Sequence, residues 1–422
     1  MGIFSSLSYE QKETTGILQI GTFLEYFDLF IYIHMAVVLN EIFFPQSDLY
    51  TAKLITASGY CATFIFRPLG ALIFGLMGDN MGRKPTVITT TMLMAITCIV
   101  MATLPTYAKI GLIASWTVTI CRMVQGMSSM GEVIGAEIYL TELIKSLSRY
   151  AVVSLMECAA SFGAVAALVV ATGIFAAGMD WRVAFWIGAL VALVGTVART
   201  TMRETPDFVK EKNKLQNTVN NTKLQNETIL NKKTILAYFL IQCGYPVFFY
   251  FTYIYCGDIL KNIFNYTPEK IIKHNLIVAT AEFLIITVLT CLSCKIYPLK
   301  IIKTRMLGFI GFSIFIPYLL FNIHSPMQLL LIQLFLCCFT LSVVPGSLIF
   351  FLHFPILKRF TCGSLIFSLS RALMATITSF GLVCLTEYLS YWGLLVIFIP
   401  VFIGFAFGIS YFEKLEEKML TN

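Results

Sequence analysis

Twelve apolar runs separated by short charged breaks constrain this chain more than any other feature. They lie near 16–40, 52–77, 86–104, 111–141, 150–173, 182–202, 233–255, 271–293, 305–323, 327–352, 362–386 and 390–411. A membrane span needs ~20 apolar residues, and within lipid the backbone must satisfy its own hydrogen bonds, as a helix or a closed barrel does. The runs are continuous, without the period-two alternation of barrel strands. With 58% of 422 residues hydrophobic and 13% charged, against roughly 25% charged in a soluble domain, the chain reads as an all-α integral membrane protein of twelve transmembrane helices.

The positive charge is distributed at the edges of those runs. Of 30 lysines and arginines, 21 fall in one set of alternate loops and six in the other, so the positive-inside rule predicts both termini in the cytoplasm. The same placement removes the nucleic-acid reading that a net charge of +7 invites, because no stretch interleaves arginines and aromatics on a soluble surface. Between Glu204 and Lys233 the composition turns to Asn, Lys, Glu and Thr, too polar to bury a core. The expected organisation is a six-helix bundle over 1–203, a linker loop over 204–232, a second six-helix bundle over 233–411 and a tail over 412–422.

Twelve scattered cysteines form no disulfide framework. Cys291 with Cys294, and Cys337 with Cys338, read as small buried residues lacking a histidine or carboxylate to complete a metal site. His34 reads as a packing residue; His274, His324 and His353 read as solvated loop-edge residues. No acyl-transfer, zinc-hydrolase or P-loop motif is present. No enzyme and no cofactor is therefore expected, and any work would draw on an ion gradient.

Ionisable residues inside spans mark pathways or internal pairs. Here they are Glu25, Asp28, Arg67, Arg122, Glu132, Glu137, Glu157, Glu282 and Arg371. Glu25 and Asp28 stand at i and i+3, with Tyr32 four further on, so they share one helix face. Arg122, Gln125, Ser129 and Glu132 form a second polar stripe. Two close carboxylates suit proton exchange, since a neighbouring charge displaces the proton affinity of each, and a guanidinium suits a bidentate carboxylate. A static pairing of these acids with Arg67 or Arg122 is the competing reading, and Arg122 could hold a substrate carboxylate or neutralise Asp28. Glu282 and Arg371 are candidates to pair in the second half.

The break at Gly75–Pro85 reads GLMGDNMGRKP. Two glycines permit a tight reversal, and Asp79 beside Arg83 and Lys84 supplies groups able to exchange partners, though a basic turn obeying the positive-inside rule would look similar. The pattern resembles the loop between helices 2 and 3 of the major facilitator superfamily. GTFLEYFDLFIY from Gly21, RMVQGMSSMGEVIGAEIYLTE from Arg122 and DWRVAFWIGALVALVGTVARTTMRETPDF from Asp180 extend the resemblance to that family's metabolite:proton symporter branch, nearest its proline/betaine transporters. The resemblance is strong through Phe208 and weaker beyond; SCKIYPLKIIKTR, where the gate motif would repeat, lacks its aspartate and glycines.

That resemblance implies a major facilitator fold and a proton-coupled symporter importing a small zwitterionic or carboxylated metabolite, such as proline or betaine, by alternating access. The alternatives are a dicarboxylate or tricarboxylate symporter of the same branch and a transport-inactive, receptor-like homologue. It places Glu25, Asp28, Arg67, Arg122, Gln125 and Glu132 at substrate and proton coupling, and Gly75, Asp79, Gly82, Arg83 and Lys84 at a cytoplasmic gate, with Asp79 near Thr361–Ser364. The implied partners are a small molecule, a proton and the lipid bilayer, for a monomer in a bacterial inner membrane.

Overall fold

A computed structural model describes residues 7–44, 63–144, 149–217 and 231–421. Twelve helical rods cross in two six-helix bundles. The first bundle comprises α1 (Tyr9–Phe43), α2 (Arg67–Asn80), α3 (Arg83–Thr103), α4 (Leu112–Met130 continued by Gly131–Gly135 and Ala136–Leu143), α5 (Arg149–Ala177) and α6 (Arg182–Thr200). The second comprises α7 (Lys232–Asn262), α8 (Pro268–Leu292), α9 (Pro298–Ser313 and Ile316–Phe321), α10 (Pro326–Phe339 and Ser347–Leu352), α11 (Ile356–Gly381) and α12 (Gly393–Thr421). The start of the second apolar run, through residue 62, lies outside the described residues.

Helix boundaries follow local chemistry. Thr267 accepts from the Lys270 N–H ahead of Pro268, and Ser325 with Gln328 forms a capping box ahead of Pro326, each satisfying amide donors that a helix start leaves open. Pro317 begins the second piece of α9. α4 instead stays continuous through a wider π turn at Gly131–Gly135. Small residues set the tightest approaches: a Cβ on Gly163 of α5 would lie 2.3 Å from the Phe23 carbonyl oxygen of α1.

Within the first bundle α1 packs on α5 and α3 on α6, and within the second α7 packs on α12. The bundles meet through α2 with α11 and α5 with α8. Along α5, Ser154 donates to the Pro345 carbonyl at 2.9 Å and Phe162 packs on Phe283, with ring centroids 5.7 Å apart. The start of α1 and the end of α12 share one end of the molecule, where Gln11 donates to Leu143 O and Glu416 meets Tyr297 and His353. Towards the other end, Phe30 of α1 packs edge-on against Phe249 and Tyr253 of α7.

Three expectations need correction. Cys291, Cys294 and Cys338 are exposed at the protein surface, and only Cys337 of that set is buried. His274 is buried and bonded to Gln333 at 2.7 Å, while His353 holds Glu416 at 2.9 Å. Arg199, Arg305 and Arg359, which a charge count assigns to loops, are all buried.

Candidate functional site: a ladder of buried ion pairs

The i, i+3 spacing on α1 delivers two carboxylates to two different arginines. Glu25 accepts from Arg67 Nη2 at 2.6 Å, joining α1 to α2. Asp28 accepts from Arg122 Nη1 at 2.5 Å and from Gln125 Nε2 at 3.0 Å, and Arg122 Nη1 also reaches Gln125 Oε1 at 2.7 Å. The Tyr32 ring, one turn further along α1, covers the Arg122 guanidinium at 4.1 Å. Glu25, Asp28, Arg67, Arg122 and Gln125 are all at most 4% exposed. In the hydrocarbon such pairs persist because either partner alone would be far costlier than the pair.

Glu132 leaves this constellation. It faces α6, where it pairs with Arg199 at 2.5 Å and accepts from Thr90 and Thr91 of α3 at 2.9 and 2.6 Å. Arg199 also donates to Thr91 and to the carbonyls of Val87 and Leu18. Four helices thus converge on one ion pair with both side chains fully buried, an arrangement suited to holding helices together. The residue missed by reading the sequence is Arg199. Its signal was the stripe Phe185, Gly188, Ala192, Gly195, Arg199, which keeps helical spacing up to the arginine.

At the end that carries the start of α1 and the end of α12, the Gly75–Lys84 stretch is clasped from both bundles. Asp79 accepts from the backbone N–H groups of Phe360 at 3.2 Å and Thr361 at 2.9 Å, in the second turn of α11, near the helix end whose dipole favours an anion. Gly75 permits the approach, since a Cβ there would lie 2.8 Å from Thr361 Cα. Arg83, with no exposed surface, bonds Glu142 at 2.9 and 3.1 Å, Asp79 at 3.3 Å, and the Gly78 and Ile356 carbonyls at 2.7 Å each. Arg359 of α11 reaches the same Glu142 at 3.4 Å. Gly82 sits at φ 126°, where a side chain would be strained. Its conformation presents the amides of Arg83 and Lys84 to Glu204 at 3.0 and 3.2 Å. Lys84 itself donates to the Thr200 carbonyl at 2.9 Å. Glu142, Glu204 and Phe208, whose ring lies 4.6 Å from the Arg83 guanidinium, complete the clasp; nothing in their local spacing marks them for it.

In the second bundle Glu282 and Arg371 do not pair. Glu282 accepts from Tyr253 at 2.6 Å and Tyr245 at 3.3 Å. Arg371 reaches Gln242 through two bonds of 3.3 Å from a single nitrogen and stacks on Phe367 at 3.6 Å. Its electrostatic neighbours across the bundle interface are Tyr26, Arg67 and Glu157. Among the described residues no histidine, cysteine and carboxylate cluster is arranged to hold a metal.

The family model "Major Facilitator Superfamily" matches residues 18–356. "Inner membrane metabolite transport protein YhjE" of Escherichia coli is 32% identical over 249 residues, 55% of this chain and 54% of that protein. "Proline/betaine transporter" of Salmonella typhimurium is 30% identical over 208 residues, 47% of this chain and 41% of that protein. The chain thus spans about half the length of these curated relatives. A solved structure of the proton:xylose symporter XylE bound to 6-bromo-6-deoxy-D-glucose matches with a TM-score of 0.77 at 14% identity over 94% of each chain, a likeness of fold.

Proposed function

We propose that this chain, which belongs to the major facilitator superfamily, is a proton-coupled symporter for a small zwitterionic or carboxylated metabolite, with both termini cytoplasmic and the monomer as working unit. The observation that carries this reading is the buried Asp28–Arg122–Gln125 set between α1 and α4. Its carboxylate is engaged by Arg122 and Gln125 together, and a proton that neutralises it would weaken its hold on the guanidinium. Protonation of Asp28, or of Glu25 beside Arg67, leaves a guanidinium without its counter-ion. Breaking one such pair is worth ~3–5 kcal/mol, the same order as the ~5.5 kcal/mol that turns a two-state equilibrium from 1:99 to 99:1. Titration of one acid is therefore large enough to re-bias a rocking motion.

The second state needs a gate that opens. The Asp79, Arg83 and Glu142 contacts with α11 join the two bundles at one end, which supports a gate there; their release would let the bundles part on that side. Energy enters as proton-motive force, ~2.3 kcal/mol per charge per 100 mV. Uptake of radiolabelled proline and glycine betaine into liposomes containing the purified chain, with the inside alkaline, is expected to exceed the external concentration and to collapse with a protonophore. Accumulation that ignores the pH gradient and follows sodium instead would refute proton coupling.

A further inference from the structure

At the end that carries the start of α1 and the end of α12, the second piece of α10 packs into the first bundle. Leu348, on the helix Ser347–Leu352, belongs to an apolar cluster with Val87, Ala136 and Val152, and the Pro345 carbonyl ahead of that helix accepts from Ser154 of α5 at 2.9 Å. His353 caps the C-terminal end of the same helix. Its Nε2 meets Glu416 Oε1 of α12 at 2.9 Å, and the two side chains are only 10% and 17% exposed. The other oxygen of Glu416 accepts from Tyr297 at 2.6 Å, and the Tyr297 ring packs edge-on against Tyr150 of α5. One carboxylate on α12 thus holds two second-bundle elements that both touch the first bundle.

The neighbouring charges are already engaged. On α12, Glu413 is held by Lys303 of α9. Arg359 of α11 donates to the Phe354 carbonyl beside His353. Tyr238 of α7 stacks on Phe354 and accepts from Gln242 at 2.7 Å. Arg149, at the start of α5, donates to the Tyr150 hydroxyl at 3.4 Å. An imidazole changes charge between roughly pH 5 and 8, a window in which ordinary carboxylates, phenols and guanidiniums do not. His353 is therefore the member of this network that physiological pH addresses.

We propose that His353 and Glu416 form a pH-sensitive latch. A charge-assisted hydrogen bond is roughly twice as strong as a neutral one, so protonated His353 holds the Ser347–Leu352 helix and, through Glu416, Tyr297 more firmly against the first bundle. The latched state gains from the proton; it strengthens as pH on this side falls through the imidazole range and weakens as pH rises. The latch rests on the contacts above, and its consequence for transport rests on the symporter reading. With this end in the cytoplasm, protons released there would slow its next opening, a brake applied by one of the transported species.

Hydrogen–deuterium exchange of the full-length protein in detergent, corrected for the intrinsic pH dependence of amide exchange, reads the opening of Ser347–Leu352. In wild type this helix should exchange about threefold or more slowly at pH ~6 than at pH ~8. His353→Gln keeps a neutral donor for Glu416 and should remove that difference. His353→Arg keeps a positive charge, should exchange slowly at both pH values, and serves if the Gln variant fails to fold. A wild type without the difference, or a difference undiminished in the variants, would overturn the latch. In liposomes at equal pH on both sides, acidification should slow exchange of labelled glycine betaine more in wild type than in His353→Gln; equal slowing would overturn the brake. If the helix responds as expected but a proton gradient concentrates no substrate, symport is wrong and the latch stands. If substrate is concentrated while His353→Gln leaves the response intact, symport stands and the latch is wrong.

Discussion

The two bundles share an architecture and differ in how they hold buried charge. In the first, Glu25, Asp28, Glu132 and Glu142 each meet an arginine. In the second, buried Glu282 meets two tyrosine hydroxyls, Arg371 meets a glutamine, and Arg305 is held by Ser342 and the carbonyls of Cys337, Cys338 and Val344. An acid bonded to hydroxyls loses little when neutralised; an acid paired with a buried arginine leaves a cation exposed to hydrocarbon. Neutralising an acid is therefore expected to disturb the first bundle more than the second.

The largest expected effect breaks that contrast in stability. Removing one partner of a buried pair costs ~3–5 kcal/mol, so Arg199→Ala should lower the melting temperature in detergent sharply or abolish folding. Glu282→Gln, which keeps an acceptor for the tyrosines, should change stability by no more than about 1 kcal/mol. Equal destabilisation by the two would remove the distinction between the bundles.

Next comes coupling. Asp28→Asn and Glu25→Gln should separate: the variant at the coupling acid still exchanges substrate across the liposome membrane but no longer concentrates it under a pH gradient, a loss of the whole accumulation ratio, while the other variant retains it. If both variants accumulate like wild type, the proton acts elsewhere.

A smaller effect is expected at the gate. Asp79→Asn replaces an anion on two second-turn amides of α11 with a neutral acceptor, a change of about 1 kcal/mol. The closed end should open more often, lowering uptake several-fold while substrate affinity in detergent stays within about twofold. A variant with normal turnover would take Asp79 out of the mechanism.

Reading the sequence recovered the helices because lipid imposes a strong length and hydropathy condition on each span. It recovered the Glu25, Asp28 and Arg122 faces because helical spacing is local. It could not foresee that Glu132 pairs with Arg199, since small steps along the polar stripe sum over about ten residues to about 80° of drift from Arg122 and the partner stands on another helix. Nor could it choose partners between helices: Glu282 and Arg371 have the right charges, but Tyr253 and Gln242 lie closer. Arg199 was hidden by its place at a span's edge, where an arginine ordinarily satisfies topology and nothing else.

The smallest expected effect concerns the stretch between α8 and α9, where the second bundle lacks the aspartate and glycines of the Gly75–Lys84 turn. Its positive groups find acids all the same. Lys303 bonds Glu413, and Tyr297 and His353 share Glu416, both acids standing on the end of α12. In the first bundle the corresponding position is filled by Glu204, just past the end of α6, which holds the Arg83 and Lys84 amides. The segment after the sixth helix of each bundle thus braces the turn between its second and third. The two braces differ in what they hold: half-buried Glu204 accepts from two backbone amides, whereas Lys303 and Glu413 form a side-chain ion pair about a third exposed, at 36% and 35%. Exposed pairs contribute ~0–1 kcal/mol and are screened by salt. Glu413→Gln should therefore lower stability by less than about 1 kcal/mol, with the difference vanishing at high salt, while Glu204→Gln should cost more and keep its effect in salt. Tyr297 also packs edge-on against Tyr150 of α5, with centroids 6.0 Å apart, so the effects of Glu416→Gln and Tyr150→Ala on melting temperature are expected to be non-additive. Strict additivity of the two would confine the α12 brace to its own bundle.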